Sequence, residues 1–206
     1  MLKRTGPVLL LALLLTSCNQ PSTPSSAPSA EPAKSAAPEA AKPAVGPAAP
    51  PTTDEDMIKS AMAAAPEEVS KDATIVAMDA KMNMRTLKQG TNGWTCMPDG
   101  PSPGVDPMCL DQNGMEWAHA WLSHKDPPKD KMGFGYMLMG GSDASNTDPF
   151  ATTPKPADKW VDTGPHIMIL NIGDKFAGYP TTSDNTKRPY VMFPNTPYAH
   201  LMMPVK

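Results

Sequence analysis

Residues 166–172 read HIMILNI, and this segment indicates more about the fold than any other. The run is apolar, contains several β-branched residues and lies between Pro165 and Gly173, which is typical of a β-strand. Methionine and leucine alternate with isoleucine along it. The segment therefore predicts a strand that is buried on both faces.

Further strands are predicted on both sides of this segment. They are short apolar runs bounded by turn residues, and they cover residues 73–78, 82–88, 94–97, 134–139, 189–193 and 200–205. The last two runs contain prolines, which predicts that they lie at sheet edges. The Pro-rich segment 98–107 and the polar segment 140–159 are predicted to be loops.

Two helices are predicted among these strands. Thr53 followed by acidic residues at 54–56 is typical of a helix start, and Pro66 ends that pattern. The second helix is expected over residues 111–122. Strands in series with two helices and long connections predict an α+β fold with a largely antiparallel sheet, in one domain over residues 54–206.

The N-terminus has the layout of a secretory signal. Residues 3–4 are basic and residues 6–15 form an apolar run, which is shorter than the roughly 20 apolar residues of a transmembrane helix. The sequence LTSC follows at residues 15–18. In this motif the chain resembles the bacterial lipoprotein family, whose lipobox (Leu15-Thr16-Ser17-Cys18 here) is a leucine, two small residues and the modified cysteine.

The resemblance implies that residues 1–17 are a signal peptide and that Cys18 carries acyl chains such as palmitate. Each buried CH₂ contributes about 0.8 kcal/mol, so several chains would keep the exported protein on a membrane. Asn19 stands where such families use Asp for inner-membrane retention. In a Gram-negative source the resemblance thus implies the periplasmic side of the cell outer membrane. An ordinary cleaved signal with an incidental cysteine is the alternative.

A disordered tether is predicted between the lipid and the domain, over residues 18–53. After Cys18 the segment has no aromatic residue, one β-branched aliphatic residue (Val45) and many prolines among Ala, Ser, Lys and Glu. Such a segment buries too little apolar area to offset the entropy of ordering it.

The balance of charges bears on which partners the chain binds. The 206 residues contain 18 Lys and Arg against 21 Asp and Glu, for a net charge of −3. This balance provides no cationic surface for a phosphate backbone, so nucleic-acid binding is not expected. The expected partners are the membrane, through the N-terminal lipid, and an unknown envelope protein or small ligand.

A disulfide bond is predicted between Cys96 and Cys109. With Cys18 lipidated, these two cysteines remain, and an even number in an exported protein indicates a disulfide. A thiolate metal site is the alternative, but the chain has no CxxC motif.

A copper site is a hypothesis raised by 16 methionines and by two His-x-Met pairs. Thioethers favour monovalent copper, and imidazole binds either oxidation state. Within a strand, residues two apart point to one side, so adjacent strands would bring together His166, Met168, His200 and Met202. The alternatives are that methionines fill an irregular core, that exposed methionines scavenge oxidants, and that the histidines serve as hydrogen-bonding residues.

An enzymatic function has weaker support, and no catalytic residue is assigned. The sequence lacks GxSxG, HExxH and SxxK motifs. A hydrolase-like site near residues 140–149 is the second alternative, because Ser142 and Asp143 are adjacent there, although Gly-Gly-Ser-Asp is first of all a turn. Tyr198 and His200 lie among prolines, where exposure is expected.

The sequence as a whole predicts a membrane-anchored envelope lipoprotein with a non-catalytic binding or structural role. Loop segments such as 92–96 and 141–150 resemble those of exported bacterial proteins of uncharacterised families. That resemblance implies no activity.

Overall fold

The computed structural model describes residues 50–79, 81, 83–101, 104–141, 143–153 and 159–205. The predicted signal peptide, Cys18 and nearly all of the predicted tether lie outside these residues. The described part has the predicted α+β fold with a mainly antiparallel sheet.

Ten strands and three α-helices are present in the described residues. The strands are β1 Thr74–Met78, β2 Met84–Lys88, β3 Thr95–Met97, β4 Met108–Leu110, β5 Gly133–Met137, β6 Asp143–Ser145, β7 Trp160–Asp162, β8 His166–Leu170, β9 Tyr190–Met192 and β10 His200–Pro204. The helices are α1 Asp54–Ala63, α2 Glu67–Ser70 and α3 Gln112–Leu122, and a short 3-10 helix spans Gly173–Phe176.

Eight strands form one sheet in the order β2-β1-β3-β4-β5-β8-β10-β9. Neighbouring strands are antiparallel except β1 and β3, which are parallel. Strands β6 and β7 form a separate antiparallel pair. The strand predicted from HIMILNI is thus an inner strand, between β5 and β10.

Both long helices begin at side-chain caps, of which the sequence analysis predicted the first. The Thr53 hydroxyl accepts a hydrogen bond from the Asp56 N–H at 3.2 Å. The Asp111 carboxylate accepts one from the Gly114 N–H at 2.7 Å. Each cap satisfies a backbone donor that has no partner inside the helix.

The two faces of the sheet are covered by different elements. Alternate residues of the strands point to opposite faces, so Val76, Met97 and Leu110 share a core with Trp117 and Ala118 of α3. Their neighbours Ile75, Cys96 and Cys109 share another core with Ala61 of α1 and with Ala64, which directly follows that helix. A third cluster is formed by Phe176, Val191 and Leu201, and it lies at the end of the sheet that β10 and β9 form.

The disulfide joins two neighbouring strands. Cys96 of β3 and Cys109 of β4 are directly opposite each other in the ladder, and their sulfur atoms are 2.03 Å apart. Both residues are fully buried. The structure thus contains the predicted pairing, and the bond lies within the core beneath α1.

Several elements differ from the sequence-based predictions. Strands β4, β6 and β7 were not predicted, because each is only three residues long and lies within or directly after a segment interpreted as a loop. β6 lies inside the segment predicted to be a loop over residues 140–159. The prediction of an edge position is right for β9 and wrong for β10, which lies between β8 and β9. Its only proline, Pro204, is the last residue of the strand, so the missing N–H interrupts no central ladder bond.

Among the described residues, no helix combines the length and apolar character that crossing a membrane would require.

Candidate functional site

The predicted His and Met ligands share one face of the sheet. Met168 of β8 is directly opposite Met202 of β10, and His166 is opposite Pro204. Because residues two apart point the same way, His166, Met168, His200 and Met202 all project to the side covered by α3. All four are buried, with exposed fractions between 2% and 6%.

The two histidines lie at opposite ends of this set. Pro204, the partner of His166, is four residues beyond His200 along β10. At about 3.3 Å per residue, the two histidine backbones are separated by about 13 Å along the strands. The paired methionines lie between them. The strands are therefore adjacent, as the copper hypothesis required, but the register offsets the two histidine backbones along them.

Each imidazole is hydrogen-bonded towards the start of its own strand. His166 Nδ1 lies 2.7 Å from the Gly164 carbonyl oxygen, and His200 Nδ1 lies 3.0 Å from that of Tyr198. A carbonyl oxygen only accepts, so Nδ1 carries the hydrogen and donates it. In the neutral ring, Nε2 then presents a lone pair to a proton donor or a metal.

Burial favours this neutral form in both histidines. It lowers the pKa of His166 below the ordinary range, and the hydrogen bond to Gly164 only partly opposes that effect. It lowers the pKa of His200 to about 4, with a further lowering contribution from His166. A buried imidazolium without a carboxylate partner is costly, because the interior solvates its charge poorly.

Aromatic rings surround His200. The rings of Trp117 and Phe193 lie edge-on to its imidazole, at centroid distances of 5.3 and 5.4 Å. Trp117 also contacts Tyr198, at 6.2 Å. The expectation that Tyr198 and His200 are exposed is wrong, since they are only 5% and 2% exposed. The prolines around them are compatible with burial because α3 covers this end of the sheet.

A small cavity lies beside the other histidine. Its volume is about 10 Å³, and it is lined by Thr163, Gly164, His166, Thr186, Tyr190, Met202 and Pro204. Of the four predicted ligands, only His166 and Met202 line it. Met168 and His200 do not.

Tyr190, one of the aromatic residues that could line a binding surface, is a member of this cavity that the copper hypothesis did not include. It lies on β9 directly opposite Met202 and is 2% exposed. Its hydroxyl has no hydrogen-bond partner among the described residues, and burial raises its pKa to about 12. No local sequence signal identifies this residue, because its neighbours come from a distant strand.

Polar side chains near the loop that was predicted to hold a hydrolase-like site form hydrogen bonds within that loop. The Ser145 hydroxyl accepts hydrogen bonds from the N–H groups of Thr147 and Asp148. The Asp148 carboxylate accepts one from the Phe150 N–H. These are the local turn contacts that such residues favour. Ser142 and the side chain of Asp143 lie outside the described part.

A second, open groove runs beside α3, with a volume of about 380 Å³. The groove is lined by Glu116 and His119 of the helix, by Ser123 directly after it, and by Asp126. Among the described side chains, however, none is hydrogen-bonded to His119, and the Glu116 carboxylate binds Lys131 at 2.6 Å. The groove therefore contains no oriented base and nucleophile of the kind that acyl-transfer catalysis uses.

In the described residues, no group of three or more His, Cys, Asp and Glu side chains is placed to hold a metal ion. A site built from imidazole and thioether ligands uses a different set of donors. The chain matches no known protein family, no curated protein and no solved structure. The site is therefore interpreted from its own chemistry.

Proposed function

We propose that this protein is a lipoprotein of the bacterial envelope, anchored through Cys18, whose domain has a non-catalytic binding or structural role. The observation that carries the proposal is the LTSC sequence at 15–18 after a basic start and an apolar run. The buried disulfide supports it, since such bonds persist in oxidising compartments.

The polar side chains of the domain favour binding over catalysis. Ser145 and Asp148 satisfy the backbone of their own loop. Asp111 caps α3. Since these groups are engaged in the structure itself, the described residues offer a small cavity with convergent polar groups, rather than an acid–base pair, as the principal site.

The anchor is tested by metabolic labelling with palmitate and by mass spectrometry of the purified protein. The wild-type chain should incorporate labelled palmitate and remain with membranes. The control Ser17→Ala should behave in the same way, because it retains a small residue before the cysteine. Cys18→Ala should incorporate none. An intact N-terminus, or an unmodified thiol at Cys18 in the wild type, would exclude lipid anchoring.

The location is tested separately in a Gram-negative host. Asn19→Asp should move the protein from the outer to the inner membrane fraction in a density gradient, because Asp at this position is the retention signal of the resembling family. Asn19→Gln serves as the control. If both variants fractionate with the outer membrane, the sorting part of the proposal is incorrect.

Binding of monovalent copper is the second candidate function. The observation that favours it is that His166 and Met202 line one cavity, where burial keeps the imidazole neutral. Neutral imidazole and thioether are ligands for Cu(I). Titration of the wild-type chain with Cu(I) against a competing chelator under anaerobic conditions tests it, and the absence of competition would reject it.

A further inference from the structure

The cavity between β8, β9 and β10 has an imidazole and a thioether on its wall. His166 comes from β8 and Met202 from β10, and the two are diagonal neighbours across the strand pair. Diagonal neighbours on one face are about 7–8 Å apart at their α-carbons, within reach of long side chains. Both residues line the same small volume.

The polarity of the cavity indicates a ligand. Tyr190 is buried and lines the cavity, and its hydroxyl has no partner among the described residues. A buried polar group without a partner costs about 1–3 kcal/mol. His166 lines the same cavity, and because its Nδ1 donates to Gly164, its Nε2 carries a lone pair.

An entry path to the cavity exists. Gly164 is exposed at its rim, and Thr186 and Pro204 are half-buried. An ion could thus reach His166 and Met202 from solvent without opening the sheet.

We propose that this cavity binds one monovalent copper ion through His166 Nε2 and the Met202 sulfur, with the Tyr190 hydroxyl beside the ion. The proposal rests on the second candidate function and assigns its site. Met168 and His200 are not ligands. Neither residue lines the cavity, and the His200 imidazole packs against the rings of Trp117 and Phe193.

The size and softness of the site determine which ion fits. About 10 Å³ is close to the space that one water molecule requires, so only an ion that loses its hydration shell can enter. Mg²⁺ dehydrates reluctantly and prefers oxygen ligands. Structural Zn²⁺ sites use thiolate, imidazole or carboxylate, whereas a thioether favours Cu(I).

The strand pairing provides a matched pair of variants for the test. Met202→Leu and Met168→Leu each replace a buried methionine with a residue of similar volume, and the two positions are directly opposite each other. Such exchanges usually cost less than about 1.5 kcal/mol, so both variants should fold. Only one of them removes a proposed ligand.

The experiment is an anaerobic Cu(I) titration of the full chain in detergent, against a competing chelator, with Zn²⁺ in a parallel series. Wild type should bind one equivalent of Cu(I). Met202→Leu and His166→Gln should weaken binding at least about tenfold, since loss of a direct ligand should cost no less than loss of an outer-shell partner. Met168→Leu should stay within about twofold of wild type.

Each outcome has a defined meaning. Tight binding that only Met202→Leu and His166→Gln weaken supports the proposed site. Equal weakening by Met168→Leu, or binding that all three variants retain, overturns the site but leaves copper binding in place. No binding by the wild type rejects copper binding altogether, and the lipid anchor is then unaffected. Tighter binding of Zn²⁺ than of Cu(I) also overturns the proposal.

Discussion

Acidification should destabilise the domain through His200. Burial lowers the pKa of this imidazole to about 4, whereas the unfolded chain has an ordinary value of about 6.5. Between these values the unfolded state binds a proton that the folded state does not. Stability is therefore complete above pH 6.5 and decreases as the pH falls towards 4.

The difference of about 2.5 pKa units corresponds to about 3 kcal/mol, of which about 2 kcal/mol should already be lost at pH 5. The burial of His166 lowers its pKa as well, so its contribution has the same sign. Domains of this kind are stable by about 5–15 kcal/mol. The loss is therefore large enough to measure by urea unfolding of the purified chain, followed by tryptophan fluorescence, at pH 7, 6 and 5.

Two controls distinguish His200 from other groups. His200→Gln cannot be protonated and should flatten the pH dependence, whereas His119→Gln changes an exposed histidine of α3 and should leave it unchanged. His200→Gln alters a buried residue, so the substitution itself changes the folded state. The pKa of His200 is therefore also measured by proton NMR of the wild-type imidazole. A titration midpoint near 6.5 for His200, or a constant free energy of unfolding between pH 7 and 5, would refute the reasoning.

Three further tests of the fold use substitutions at the disulfide, at a helix cap and at a glycine. The pair Cys96→Ser and Cys109→Ser, which opens a covalent loop with a sequence separation of 13, should lower the free energy of unfolding by about 3 kcal/mol; a loss below about 1 kcal/mol in urea titrations would contradict this. Asp111→Ala removes the acceptor for the Gly114 N–H and should cost about 1 kcal/mol in thermal melts, while Asp111→Asn should cost little. Gly133→Ala would place a methyl group 2.6 Å from the Gly114 backbone nitrogen and should cost about 1–3 kcal/mol, so a melting temperature like that of wild type would show that α3 can shift.

Local signals in the sequence predicted those features of the structure that depend on local interactions. The predicted cap at Thr53 starts the first long helix, and the HIMILNI run forms β8. The number of cysteines, together with the predicted export of the chain, predicted the pairing of Cys96 with Cys109. In each case the prediction needs only a few neighbouring residues or a count of one residue type.

The candidate site depends on register, which local signals do not encode. The adjacency of β8 and β10 was required by the copper hypothesis, but the offset that separates His166 from His200 follows from the pairing of Met168 with Met202. Tyr190 joins the cavity only because β9 pairs with β10 at that position. Such pairings connect residues that are distant in the chain, and a shift of one residue would reverse the faces.

The abundance of methionine therefore has more than one cause. Met97, Met137, Met168 and Met192 are buried in the core beneath α3, where a flexible side chain fills irregular space. Burial excludes them from scavenging oxidants, a role that requires exposure such as that of Met78 and Met132. Met202 belongs to the same core but also borders a polar cavity with His166. It follows that composition alone is a poor guide to metal binding in this chain, and that the test must compare individual methionines of equal burial.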